Sequence, residues 1–316
     1  MDQPQEMEPS KNSAVGATDA QSFVPARESR TGTVISQQAG SGCSTCGGAA
    51  SSAADGGEVA APSFVYAVGR IQTRFPSLAL EKEFAQVTGR ANTTGLTDGQ
   101  ALQAVLSERP NRYLARQLCW VLTIEGLETY LLVPRDPADF DLLVEAIRPA
   151  PSPLDLDVVI GMRGPIAPPQ MCNGLMVPVV AFDQVYSFDR DALIKSIPRP
   201  EKISAKEYEP AAAELFDRIM LMTDNAGATD EHRALNYLTV RYPAIYASVA
   251  EAHGRNASLT AVEVRPSPLS STRKIMECIF SYSNRSTDVV EKFFCRVDIT
   301  EEFPFLVTKL SPYIDR

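Results

Sequence analysis

Leu118-Cys-Trp-Val-Leu-Thr-Ile-Glu-Gly-Leu-Glu-Thr-Tyr-Leu-Leu-Val133, followed closely by Asp136-Pro-Ala-Asp-Phe-Asp-Leu-Leu-Val-Glu-Ala-Ile147, decides the fold class. Two strand-forming runs, Leu118 to Ile124 and Leu127 to Val133, flank Glu125-Gly126, the signature of a two-residue hairpin turn. Asp136 then supplies an N-cap and Pro137 a first-turn proline to a helix with Phe140, Leu143, Val144 and Ile147 at i, i+3, i+4, i+7. A hairpin running almost directly into an amphipathic helix mixes strands and helices in one body.

Upstream, residues 64–71 read as a strand and 76–87 as a helix carrying Leu80, Phe84 and Val87 on one face. Thr97-Asp-Gly-Gln100 has capping-box spacing and opens a second helix with Leu102, Val105 and Leu106 inward. Downstream, strands at 156–161 and 175–182 bracket a loop at 162–174 whose three prolines make it stiff and extended. After a connector at 196–202 come three helices, at about 210–222, 230–240 and 243–253. Strands follow at 259–265, 275–282, 289–299 and 305–310, with Asn284-Arg-Ser-Thr-Asp288 as a hairpin loop. Short loops between neighbours favour antiparallel pairing. The expected class is α+β, with mixed, mostly antiparallel sheets and helices in a two-part body. Its parts are 61–200 and 201–316, the second being three helices followed by an antiparallel four-strand meander. No fixed-period repeat is present.

Residues 1–60 are rich in Gly, Ser, Ala and Gln and poor in large apolar side chains, so they read as a disordered tail. The 316-residue chain is 44% hydrophobic and 22% charged, enough for one large or two modest domains. A net charge of -9 lacks the excess of Lys and Arg that phosphate neutralisation requires, which argues against nucleic-acid partners. No apolar run approaches the ~20 residues that span a bilayer. With no basic-then-apolar start, a cytoplasmic protein without membrane association is expected. Six cysteines, four of them inside the body, do not look like a disulfide framework, and reduced thiols are expected.

Candidate chemistry is sparse. Cys43-x-x-Cys46 could supply half of a tetrahedral zinc site, completed by the body or by the tail of a second subunit in a homodimer. Cys278 and Cys295 fall on the apolar faces of neighbouring strands and read, like Cys119, as core packing. Cys172 and Asn173 lie in the proline-rich loop with Arg163, the placement of residues that bind. A cysteine nucleophile needs a base, and the only histidines, His232 and His253, fall at the ends of two predicted helices. Asp155 and Asp157 share one strand face, read as the solvent side. No catalytic set emerges, and no cofactor is implied beyond the possible zinc.

Three segments carry a resemblance: Val65-Tyr-Ala-Val-Gly-Arg-Ile71 with Arg74-Phe-Pro-Ser-Leu78 and Glu81-Lys-Glu-Phe84; Arg116 through Tyr130; and Met171-Cys-Asn-Gly-Leu-Met-Val-Pro178. Together they resemble the C-terminal region of the cyanobactin maturation proteins PatG and PatA, from about Ser63 to Arg316. The resemblance implies a place in the biosynthesis of ribosomally made, post-translationally modified peptides. In PatG this region follows a subtilisin-like protease domain, of which this chain has no catalytic segment. The implied role is an accessory protein that binds a precursor peptide or scaffolds a separately encoded protease or other pathway enzyme. The alternatives are a peptide-modifying enzyme with a site near Arg163, Asp155, Asp157 and Cys172, or a metal-organised structural dimer.

Overall fold

The computed structural model describes residues 63–90, 95–199, 203–222 and 224–314. The tail assigned to 1–60, with Cys43 and Cys46, lies outside the described residues. The fold is α+β, as the hairpin-to-helix sequence implies. Five strands close a barrel in the order β1-β2-β3-β5-β4, and four form a meander in the order β6-β7-β8-β9.

In the barrel, β1 (Phe64–Arg74) pairs antiparallel with β4 (Asp155–Ile166) through its first half and with β2 (Cys119–Ile124) through its second. The β2–β3 hairpin, with β3 at Leu127–Pro134, turns on Glu125 (φ 50) and Gly126 (φ 81), the left-handed pair of a type I′ turn. Closure comes from β5 (Pro178–Asp189), antiparallel to β4 but parallel to β3. That one parallel ladder departs from pairing between chain neighbours. The helix α4 (Phe140–Ala146) and the stretch through β4 form the long crossover it requires.

Val65, Ala67, Trp120, Leu122, Tyr130, Leu132, Val159, Val180 and Phe182 fill the barrel interior. They pack with Leu80 of α1 (Leu78–Arg90), Val105 and Leu106 of α2 (Asp98–Ser107), Leu114 of α3 (Arg112–Gln117), and Leu143 and Val144 of α4. The Thr97–Gln100 capping box starts α2, and Asp136 accepts from Ala138 N at 2.8 Å in a short 3-10 turn leading into α4. The barrel strands are apolar on both faces because both are covered. Tyr66, Val68, Val158 and Ile160 point outward against Val240, while Cys119, Val121 and Leu131 point outward beneath residues 167–177.

A short helix α5 (Arg190–Ser196), capped by Asp189, leads to α6 (Ala205–Met220), α7 (Asp230–Arg241) and α8 (Ala244–Gly254). The second of these four starts five residues before the sequence-based boundary at Pro210. Ser204 and Glu207 cap one another there, and the proline is absorbed inside the helix. The meander of β6 (Ala257–Pro266), β7 (Ile275–Asn284), β8 (Val290–Asp298) and β9 (Phe305–Pro312) lays Met276, Cys278, Phe280, Tyr282, Cys295 and Val297 on α6, α7 and α8.

Barrel and helices meet at Tyr66. Its N–H donates to Gly227 O at 2.9 Å, and its carbonyl accepts from Asn236 Nδ2 at 2.8 Å. Gly227 has φ +69, and a Cβ there would lie 2.3 Å from Tyr66 O. Gly227→Ala should therefore lower unfolding free energy by about 2 kcal/mol or more, since the side chain is both strained and sterically excluded. Chemical denaturation of the two proteins measures the difference.

Candidate binding site

An apolar concavity lies between the barrel and α6. It is a cleft of about 440 Å³, floored by Phe216 and walled by Leu154, Leu156 and Met220, with Leu221 at its lip. Phe216 is 1% exposed and Leu221 is 70% exposed, so the apolar surface runs from the core out to solvent. The opposite wall is backbone. Gly69 brings β1 against the end of β2 so closely that a Cβ would sit 2.5 Å from Thr123 O. Arg70, Glu125, Arg190 and Asp217 carry the charges at the cleft. Arg190 holds Asp217 through Nη1 at 2.8 and 3.1 Å. A mostly apolar concavity of this size with a few polar groups at its edge is the form small-ligand and side-chain pockets take.

None of the candidate site residues read from the sequence lines this cleft, because its walls come from segments far apart in the chain. The readable signal was Met220-Leu221, two apolar residues at a helix end. Arg163 is not in a loop: β4 continues through it, opposite Val180, and its N–H donates to Ser63 O at 2.7 Å. Asn173 (φ 44) and Gly174 (φ 85) make the tight turn of the strap 167–177.

Cys172 corrects the expectation of reduced thiols, since it forms a disulfide with Cys119 across 53 residues. The physical reason is the barrel's closure: Cys119 faces outward from β2, and the strap folds back over it with a Cα–Cα separation of 5.9 Å. Both half-cystines are buried, so Cys172 offers no thiolate. Cys278 and Cys295 are free, buried, and directly opposite one another in β7 and β8. His232 lies in the first turn of α7, where burial lowers its pKa, and His253 in the last turn of α8. Among the described residues no group of three or more His, Cys, Asp or Glu is placed to hold a metal. No helix among them is long and apolar enough to cross a membrane.

Asp155 and Asp157 are not on a solvent face. Asp155 pairs with Arg148 at 3.2 Å and accepts from Ser152 N at 2.6 Å. Asp157 is 6% exposed and accepts from Ile71 N at 2.7 Å and from the Ser187 hydroxyl. It fills the place where β4 stops pairing with β1. Burial pushes its pKa up to about 6, outweighing the hydrogen bonds from Ser187 and Ile71 that favour the carboxylate.

Between the ordinary aspartate value of 3.8 and about 6, the folded chain keeps a proton at Asp157 that the unfolded chain has released. This contribution to stability is therefore complete below that window and lost as pH rises through it. Asp157→Asn should flatten the fall in stability from pH 4 to 6, measured by denaturation at each pH. For the strap, the double substitution Cys119→Ala, Cys172→Ala should cost about 2–4 kcal/mol, because the unfolded chain regains the freedom of the closed loop. Denaturant titration of the oxidised protein against this variant measures the cost.

Residues 202–313 match the family model described as PatG C-terminal. A solved structure titled "PatG Domain of Unknown Function" superposes with a TM-score of 0.65 at 20% sequence identity. The alignment covers 79% of this chain and 98% of that one. No curated protein matches the chain. Residues 202–313 thus form a PatG C-terminal-like domain, in a chain whose fold is shared with the PatG domain of unknown function.

Proposed function

We propose that this chain is an accessory protein in the biosynthesis of ribosomally made, post-translationally modified peptides of the cyanobactin kind. It binds precursor peptide and presents it to a separately encoded subtilisin-like protease or another pathway enzyme. The observation that carries the reading is the cleft between the barrel and α6. Its apolar wall, from buried Phe216 to exposed Leu221, is suited to the side chain of a bound peptide. The likeness to the PatG domain supports the pathway. Locking Cys172 in a disulfide removes the one loop thiol that could have served a peptide-modifying step.

The test is an anisotropy titration of a fluorescein-labelled synthetic precursor peptide of cyanobactin type, with mass spectrometry of the peptide afterwards. Binding without a change in mass is expected. Leu221→Asp should weaken that binding roughly tenfold or more, the scale of losing a buried apolar contact and placing a charge at its seat. Its melting temperature should change little, because the side chain is already 70% exposed. A mass change would make the protein an enzyme, and unaltered binding by the folded variant would put the peptide elsewhere.

A further inference from the structure

We propose that Arg70 makes the cleft selective for a peptide segment carrying a single carboxylate beside a large apolar side chain. This rests on the peptide-binding reading of the cleft. Two arginines at or near the cleft already hold carboxylates. Arg190 is bound to Asp217 and also lies 3.2 Å from Asp191. Arg74, four residues along the same strand as Arg70, is bound to Glu128 at 2.8 Å. Arg70 differs from both. Its guanidinium donates to the carbonyl of Pro153, and it has no carboxylate partner among the described residues.

That hydrogen bond places the side chain at the cleft. It ties the side chain from β1 to the loop before β4, beside the apolar wall made by Leu154 and Leu156. A guanidinium has five N–H donors, so the remaining ones are available for a carboxylate in two-point contact. Glu125, on the β2–β3 turn, also lines the cleft and has no ion-pair partner among the described residues. A second carboxylate on the ligand would meet it, which limits the preferred segment to one. The complement is an apolar residue seated against Phe216 and Met220 with one acidic group reaching Arg70. Mutual attraction of opposite charges sets specificity here more than gross affinity.

The experiment uses the full chain and two fluorescein-labelled synthetic peptides, identical except that the residue beside the apolar anchor is glutamate in one and glutamine in the other. The unaltered protein should bind the glutamate peptide roughly tenfold or more tightly, the scale of a hydrogen bond to a charged group. The preference should shrink as salt is raised. Arg70→Gln should abolish the preference, with the glutamate peptide losing more affinity than the glutamine peptide, and Arg70→Lys should restore part of it. Melting curves of both variants establish that they are folded. Equal binding of the two peptides by the unaltered protein, or a preference that survives in Arg70→Gln, overturns the assignment of Arg70 alone. Binding of neither peptide overturns the cleft reading and this assignment with it.

Discussion

The N–H and C=O of Tyr66 are satisfied not by a neighbouring strand but by Gly227 O and Asn236 Nδ2. In this half β1 pairs with β4 alone, and β2 joins only from Arg70 onward. A buried strand edge left open there would strand backbone polar groups away from water, at a cost comparable to a lost hydrogen bond for each. The turn between α6 and α7 closes that edge. Asn236 is fully buried and shares a second hydrogen bond with Asn225 at 2.8 Å, so the seal is itself a satisfied polar network. Tyr130 adds another tie through its hydroxyl to Ala226 O at 2.9 Å. Barrel closure and the seating of the helices are therefore one event.

A second joint lies in the first turn of α7. Arg233, 3% exposed, donates to the carbonyls of Ile299, Glu301 and Glu302 in the loop before β9. Glu302 in turn faces Arg135 and Asp183 of the barrel. Burial and the neighbouring Asp183 raise the Glu302 pKa to about 8. The same helix thus fastens the barrel at one point and the meander at another. The cleft stands where α6 leaves this frame, which explains why its floor is core and its lip is solvent.

What could be read from the residues is what depends on neighbours in the chain. The 118–133 hairpin, the Thr97 capping box, the Asp136 cap and the four-strand meander follow from local turn chemistry and periodicity. Ending the fifth strand at Phe182 missed its continuation to Asp189, because the run turns from solidly apolar to alternating. The closed barrel, its parallel β3–β5 ladder and the Tyr66 seal join residues separated by dozens to more than a hundred positions, and no local pattern encodes them. The Cys119–Cys172 bridge is hidden for the same reason: Cys119 reads as core packing and Cys172 as a binding residue of the loop, and only the fold brings them face to face. The burial of Asp157 is another such case. Alternation marks it as sharing a face with Asp155, but only the divergence of β4 from β1 shows that the face turns inward.

Holding a disulfide in the barrel and two facing thiols in the meander sets the conditions under which this chain can be unfolded and recovered. Their mutual hydrogen bond, then burial, hold the Cys278 thiol well above its ordinary pKa, so within the fold it is inert. Unfolding ends that protection, and a thiolate from either residue can then attack the released bridge and exchange partners. Refolding at neutral or alkaline pH becomes a race between correct closure and sulfur scrambling, whereas acid, which suppresses thiolate, keeps the pairing intact. Reversibility is thus a property of solvent acidity as much as of the native contacts, and heat resistance above neutrality is a rate before it is an equilibrium.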